Sequence, residues 1–112
     1  MEWLPLVSEN QLDEVLKASS QKPVVLFKHS TRCSVSMMVK KTFERSWNQD
    51  KETIPVYYLD LLEYRPVSNK IAHDLNVEHQ SPQVIVVKDG KAIYDASHDD
   101  IDAQEVLRQI TQ

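Results

Sequence analysis

A chain of 112 residues, 41% hydrophobic and 27% charged, suits one domain over residues 1–112 that buries a core without disulfide staples. Its net charge of −4 and the lack of a long basic run argue against nucleic acid as a partner, and no apolar stretch approaches a membrane span. The opening MEWLPLVSEN has no cationic lead and does not read as a secretory signal, and a lone cysteine fits a reducing, cytoplasmic setting.

Glu2 to Val7 reads as a short strand that Pro5 confines to an edge. Ser8-Glu9-Asn10-Gln11 is a capping box: the Ser8 hydroxyl can accept from the Gln11 N–H while the Gln11 side chain reaches back. Leu12, Val15 and Leu16 then share one helical face. Pro23 opens PVVLFKH, whose unbroken apolar run Val24 to Phe27 marks a strand buried on both sides. From about Cys33 to Trp47 the spacing predicts a helix. Val35, Met38, Val39, Phe43 and Trp47 form its core stripe, and Lys40, Lys41, Glu44 and Arg45 lie opposite.

Ile54 to Asp60 is a second strand, and Val67 to Leu75 a short helix with Ile71, Ala72 and Leu75 turned inward. In SPQVIVVKDGKAIYDAS two apolar runs flank Asp89-Gly90, the signature of a hairpin with a type I′ turn. Asp99 or Asp100 is placed to cap a last helix carrying Ile101, Val106, Leu107 and Ile110. The order (β)αβαβαββα, with a parallel βαβ unit and an antiparallel hairpin, describes an α/β sandwich around a mixed sheet.

Cys33 sits where a buried strand ends and a helix begins, inside HSTRCSVS. Helix N-termini offer unpaired N–H groups and a positive dipole end, which favour thiolate over thiol. Lys28, His29 and Arg32 flank it, and Ser30 or Thr31 is available as the cap. A free cysteine is often a small buried hydrophobe, but Ser30, Thr31, Arg32, Ser34 and Ser36 make a polar neighbourhood. Ser36 closes a C-x-x-S motif three residues after Cys33, so no resolving thiol stands beside Cys33, and a mixed disulfide there needs an outside thiol. His29, His73, His79 and His98 form no ligand cluster, so no metal site is expected.

The element order, the C-x-x-S at a strand-to-helix turn, and Ser81-Pro82 before an apolar hairpin resemble the thioredoxin fold over nearly the whole chain. Within it, KHSTRCSVS resembles the monothiol bacilliredoxins of the bacillithiol system, which carry a T-C-P-I-S type motif after a strand ending in Lys-His-Ser. Lys28-His29-Ser30 matches; Arg32 stands where that family usually has Thr, and Ser34 where it usually has Pro. The resemblance implies a thioredoxin-like three-layer sandwich and a monothiol thiol–disulfide oxidoreductase with Cys33 as the catalytic thiol. Thr31, Arg32, Ser34, Ser36, Ser81 and Pro82 would contact substrate, with Ser81–Pro82 cis and close to Cys33. It implies no bound cofactor, bacillithiol as cosubstrate, and capped client proteins as partners.

Three other readings stay open on the residues alone. A glutathione-using monothiol glutaredoxin is disfavoured by the single glycine, since a Gly-rich segment cannot exist here. A thioredoxin-fold binding module and a redox sensor that is modified without turnover remain. Met38, Phe43 and Trp47 read as core, and the Asp95, Asp99, Asp100 and Asp102 region as a solvated face and cap.

Overall fold

The computed structural model describes residues 1–111. Strand β1 (Leu4–Pro5) is followed by α1 (Glu9–Ala18), β2 (Val24–His29), α2 (Ser34–Ser46), β3 (Val56–Asp60) and α3 (Arg65–Leu75). Then come β4 (Gln83–Lys88), β5 (Lys91–Ser97), a 3₁₀ turn at His98–Asp100 and α4 (Ala103–Thr111). The strands form one five-stranded sheet in the order β1-β3-β2-β4-β5. β1 and β2 run parallel to β3, while β4 runs antiparallel to β2 and to β5.

The apolar run in β2 earns its central place: every residue from Val24 to His29 is buried. Alternation along the strands feeds two cores. Val24, Leu26, Leu59, Ile85 and Val87 pack against Leu12 and Val15 of α1 and Val67, Ile71 and Leu75 of α3. Val25, Phe27, Val56, Val84 and Val86 pack against Phe43 of α2 and Ala103 and Val106 of α4. The result is a three-layer α/β sandwich with a mixed central sheet. Pro5 lies on the β1 edge, where its missing N–H costs the ladder nothing. Asp89 and Gly90 both have positive φ, 55° and 73°, as the type I′ turn demands.

Several local expectations are corrected. The Ser8 cap itself forms as expected: the Gln11 N–H donates to the Ser8 hydroxyl at 3.1 Å, and the Gln11 side chain reaches back past the cap to accept from the Val7 N–H at 2.8 Å. Val35 and Met38 of the expected α2 stripe are 52% and 68% exposed, with Met37 also exposed. The line of α2 that meets the sheet runs instead through wholly buried Ser36 to Phe43, then to Trp47 at the helix end. Neither Asp99 nor Asp100 caps α4. They belong to the 3₁₀ turn, and the Asp102 carboxylate accepts from the Gln104 N–H at 3.0 Å.

Candidate active site around Cys33

Three segments converge at one end of the sheet: the end of β2, the start of α2 and the turn before β4. The β2–β4 register sets Lys28 opposite Gln83, so the Ser81–Pro82 turn lies beside the strand end from which the Cys33 loop leaves. The Ser81–Pro82 peptide is cis. The Pro82 carbonyl accepts from the His98 N–H at 2.9 Å, which ties the turn to the end of β5. Gln83, 1% exposed, braces the same turn: its amide donates to the Glu78 carbonyl at 3.0 Å. Sequence reasoning passed over Gln83, whose signal is a lone amide heading an apolar strand.

Cys33 is itself the N-cap of α2, with extended backbone at φ −108° and ψ 120°, so neither Ser30 nor Thr31 has that role. The Ser30 carbonyl instead accepts from the Cys33 N–H at 3.2 Å, closing the loop. From the cap position the half-exposed sulfur faces the first free N–H groups of the helix. Those of Ser36 and then Val35 hold the thiol below its ordinary pKa by favouring the thiolate, a partial desolvation opposing them. The Ser36 hydroxyl, buried and without a full hydrogen bond, adds a smaller pull of the same sign.

The flanking cations do not act as sequence proximity suggested. Strand alternation sends Lys28 and His29 to opposite faces of the sheet, and Arg32 is exposed. Lys28 is 0% exposed, and burial pushes its ammonium down to about 8. His29 lies on the α2 side against Tyr58, ring centroids 5.4 Å apart. Burial and then Lys40 lower its pKa, while Asp60 and the Ser36 backbone act the other way. A hollow of about 190 Å³ opens there, lined by His29, Met37, Lys40, Lys41, Glu44 and Tyr58.

Of the residues expected to contact substrate, Thr31, Arg32 and Ser34 surround the sulfur in sequence and are exposed. Ser36 is buried under it, Ser81 is half-buried and Pro82 is buried. A nucleophilic sulfur, helix-end donors and a cis-proline turn at one sheet end suit thiol–disulfide exchange, in which a thiolate displaces one sulfur of a disulfide.

The fold is shared with solved thioredoxin-type structures. One, assigned provisionally as an oxidoreductase with a thioredoxin fold, is 27% identical over 95% of this chain and 91% of its own, with a TM-score of 0.81. The thioredoxin of Malassezia sympodialis superposes with a TM-score of 0.76 at 20% identity, covering 99% and 90% of the two chains. That of Fasciola hepatica gives 0.72 at 15% identity over 96% of each. The family model described as monothiol bacilliredoxin BrxC matches residues 4–106. With a thioredoxin fold, a lone thiol at the helix start and that match over most of its length, the chain belongs to the monothiol bacilliredoxin family and has a thiol redox role.

Proposed function

We propose that the protein removes bacillithiol from S-bacillithiolated proteins, with Cys33 as the nucleophile. The observation that carries this reading is the only cysteine of the chain, half-exposed at the cap of α2 with two backbone N–H groups favouring its thiolate. The Cys33 thiolate attacks the bacillithiol sulfur of the capped client. The client–bacillithiol S–S bond breaks, and the client sulfur leaves as a thiolate that takes a proton from water. Bacillithiol is now joined to Cys33. A second bacillithiol thiolate attacks that bacillithiol sulfur, releasing bacillithiol disulfide and restoring Cys33.

In this reading Thr31, Arg32 and Ser34 form the exposed rim that meets the small thiol. Ser36 supports the thiolate, and the Ser81 backbone beside Pro82 pairs with substrate. No bound cofactor is needed, and a reducing compartment such as the cytoplasm suits a working free thiol. The test is intact-mass spectrometry of the protein mixed with a bacillithiol-capped client, with Cys33→Ser as control. Transfer of one bacillithiol to the wild type only, with release of the client, is the expected result. A client that stays capped refutes the reading. Equal or faster transfer from a glutathione-capped client replaces bacillithiol with glutathione as cosubstrate.

A further inference from the structure

Buried polar atoms in folded proteins are nearly always hydrogen-bonded, so one that borders open space without a partner points to a ligand. His29 is such a case. It is 3% exposed, its Nδ1 makes no hydrogen bond, and it lines the hollow of about 190 Å³ beside α2 and β3.

The hollow is built onto the two arms of the Cys33 loop. His29 is the last residue of β2, where that loop begins. Met37, Lys40, Lys41 and Glu44 line the α2 side, and they stand 4, 7, 8 and 11 positions after Cys33. That spacing is one face of a helix, the face that the cysteine heads. Met37 starts the row, and its N–H donates to the Cys33 carbonyl at 3.1 Å. The near end of the hollow is therefore about one helical turn from the residue that carries the sulfur.

Its wall holds one acid, and that acid is already satisfied. Glu44 Oε1 accepts from Lys40 Nζ at 2.8 Å and from Trp3 Nε1 at 2.6 Å. Lys40 also lies over the Tyr58 ring, 5.2 Å from its centroid. Asp60 stands opposite His29 in the β2–β3 register but is not in the wall, and its carboxylate accepts from the Leu62 N–H at 3.1 Å. Lys41 has no ion pair among the described residues. Tyr58 contributes a hydroxyl, and a neutral imidazole can carry its proton at Nδ1. A lysine without a counter-charge, an imidazole nitrogen and a hydroxyl together offer protons and call for an anionic acceptor.

We infer that this hollow receives a carboxylate of the small thiol that exchanges at Cys33, with Lys41 Nζ and His29 Nδ1 as its contacts. The inference rests on the proposed exchange chemistry and names what selects its cosubstrate: a thiol whose carboxylate hangs about one helical turn from its sulfur. The size of the hollow agrees. It is smaller than the roughly 300–1,000 Å³ of a pocket for a drug-sized molecule, and suits a short acid chain.

The experiment compares two symmetric disulfides of equal length, dithiodibutyrate and its diamide, which carry carboxylates or neutral amides. In both, the Cys33 thiolate attacks one sulfur and the S–S bond breaks. One half stays on Cys33, and the other leaves as a thiolate protonated by water. Intact mass gives the rate of each. Without a subsite, the Cys33 thiolate repels the carboxylate probe and the amide reacts faster. With it, the carboxylate probe is expected to react faster by about fivefold at low salt, with the advantage shrinking as salt rises.

Lys41→Gln and His29→Phe are expected to lower the carboxylate-to-amide ratio severalfold. Arg45→Gln, which removes an exposed cation of α2 outside the hollow, keeps it. Lys41 is exposed, so its variant decides the matter even where His29→Phe disturbs folding. A second readout does not depend on rate: by NMR the His29 ring should titrate at higher pH in the carboxylate adduct than in the amide adduct. Adducts that form at Cys33 with no carboxylate preference, or a preference that Lys41→Gln leaves intact, overturn the subsite while the exchange chemistry stands. No adduct from either probe overturns both. A carboxylate preference seen only between acidic and neutral capped peptides assigns the hollow to the client and also overturns the inference.

Discussion

Lys28→Met is expected to make the protein more stable at neutral pH. Lys28 is wholly buried in the central strand and its ammonium has no hydrogen-bond partner. Its pKa falls from the ordinary 10.5 to about 8, and desolvation is the cause. Between these two values the unfolded chain binds more protons than the folded one, so stability rises with pH across that window. Below pH 8 the penalty is present in full, and it is relieved as pH climbs toward 10.5. At 1.36 kcal/mol per pKa unit it comes to about 3 kcal/mol. Methionine has a similar length and no charge, so most of that penalty should return as stability, about 1–3 kcal/mol.

The assay is urea unfolding of both proteins from pH 7 to pH 10. Other groups titrate in this range, but they are common to both proteins and cancel in the difference. The advantage of the Met variant should be largest at pH 7 and close as pH rises. A Met variant no more stable at pH 7, or one whose advantage is the same at every pH, would show that Lys28 is not a buried uncompensated cation.

Three further outcomes can be checked. Alkylation of Cys33 by iodoacetamide should reach half its limiting rate below pH 9.0, the ordinary thiol value, in the folded protein and move up toward it in denaturant, because Ser36 and Val35 N–H groups favour the thiolate only when α2 is formed. Ser34→Pro should stabilise by about 0.4–1 kcal/mol in urea unfolding, because proline suits the first helical position and the extended backbone of Cys33 already satisfies what a following proline demands. Gly90→Ala should cost about 1 kcal/mol in the same assay: its φ is 73°, and the new Cβ would meet nothing closer than the Leu16 carbonyl at 4.0 Å, so conformation alone sets the cost.

Much of this fold is written locally. A four-residue apolar run has no polar side to show water, which put Val24 to Phe27 at the centre of the sheet. Asp89-Gly90 admits few backbone conformations besides a tight hairpin. The phase of α2 was harder to read, because the residue that meets the sheet in its first turn is Ser36, while Val35 and Met38 face out. A polar residue on the inner line and apolar residues on the outer line invert the signal that periodicity depends on. Caps were misplaced by two or three residues for a similar reason: Ser30, Thr31, Asp99 and Asp100 have cap chemistry, but tertiary packing puts Cys33 and Asp102 at the helix starts. At the site, Cys33 and Ser81-Pro82 stood out by residue type and spacing. The burial of Lys28 and the bracing of the turn by Gln83 did not, since nothing local to either residue marks it.

Ser36 stands one helical turn from the sulfur, where a second cysteine would have made an internal bridge. Closing an internal disulfide consumes one small disulfide and releases two small thiols, so its closed-to-open ratio follows the disulfide concentration over the square of the thiol concentration. Every disulfide that this chain can form joins two molecules. Capping Cys33 consumes one small disulfide and releases one small thiol, so its capped fraction follows the simple disulfide-to-thiol ratio. Diluting a thiol–disulfide mixture leaves the occupancy of Cys33 unchanged, where a two-cysteine relative would shift toward its closed form.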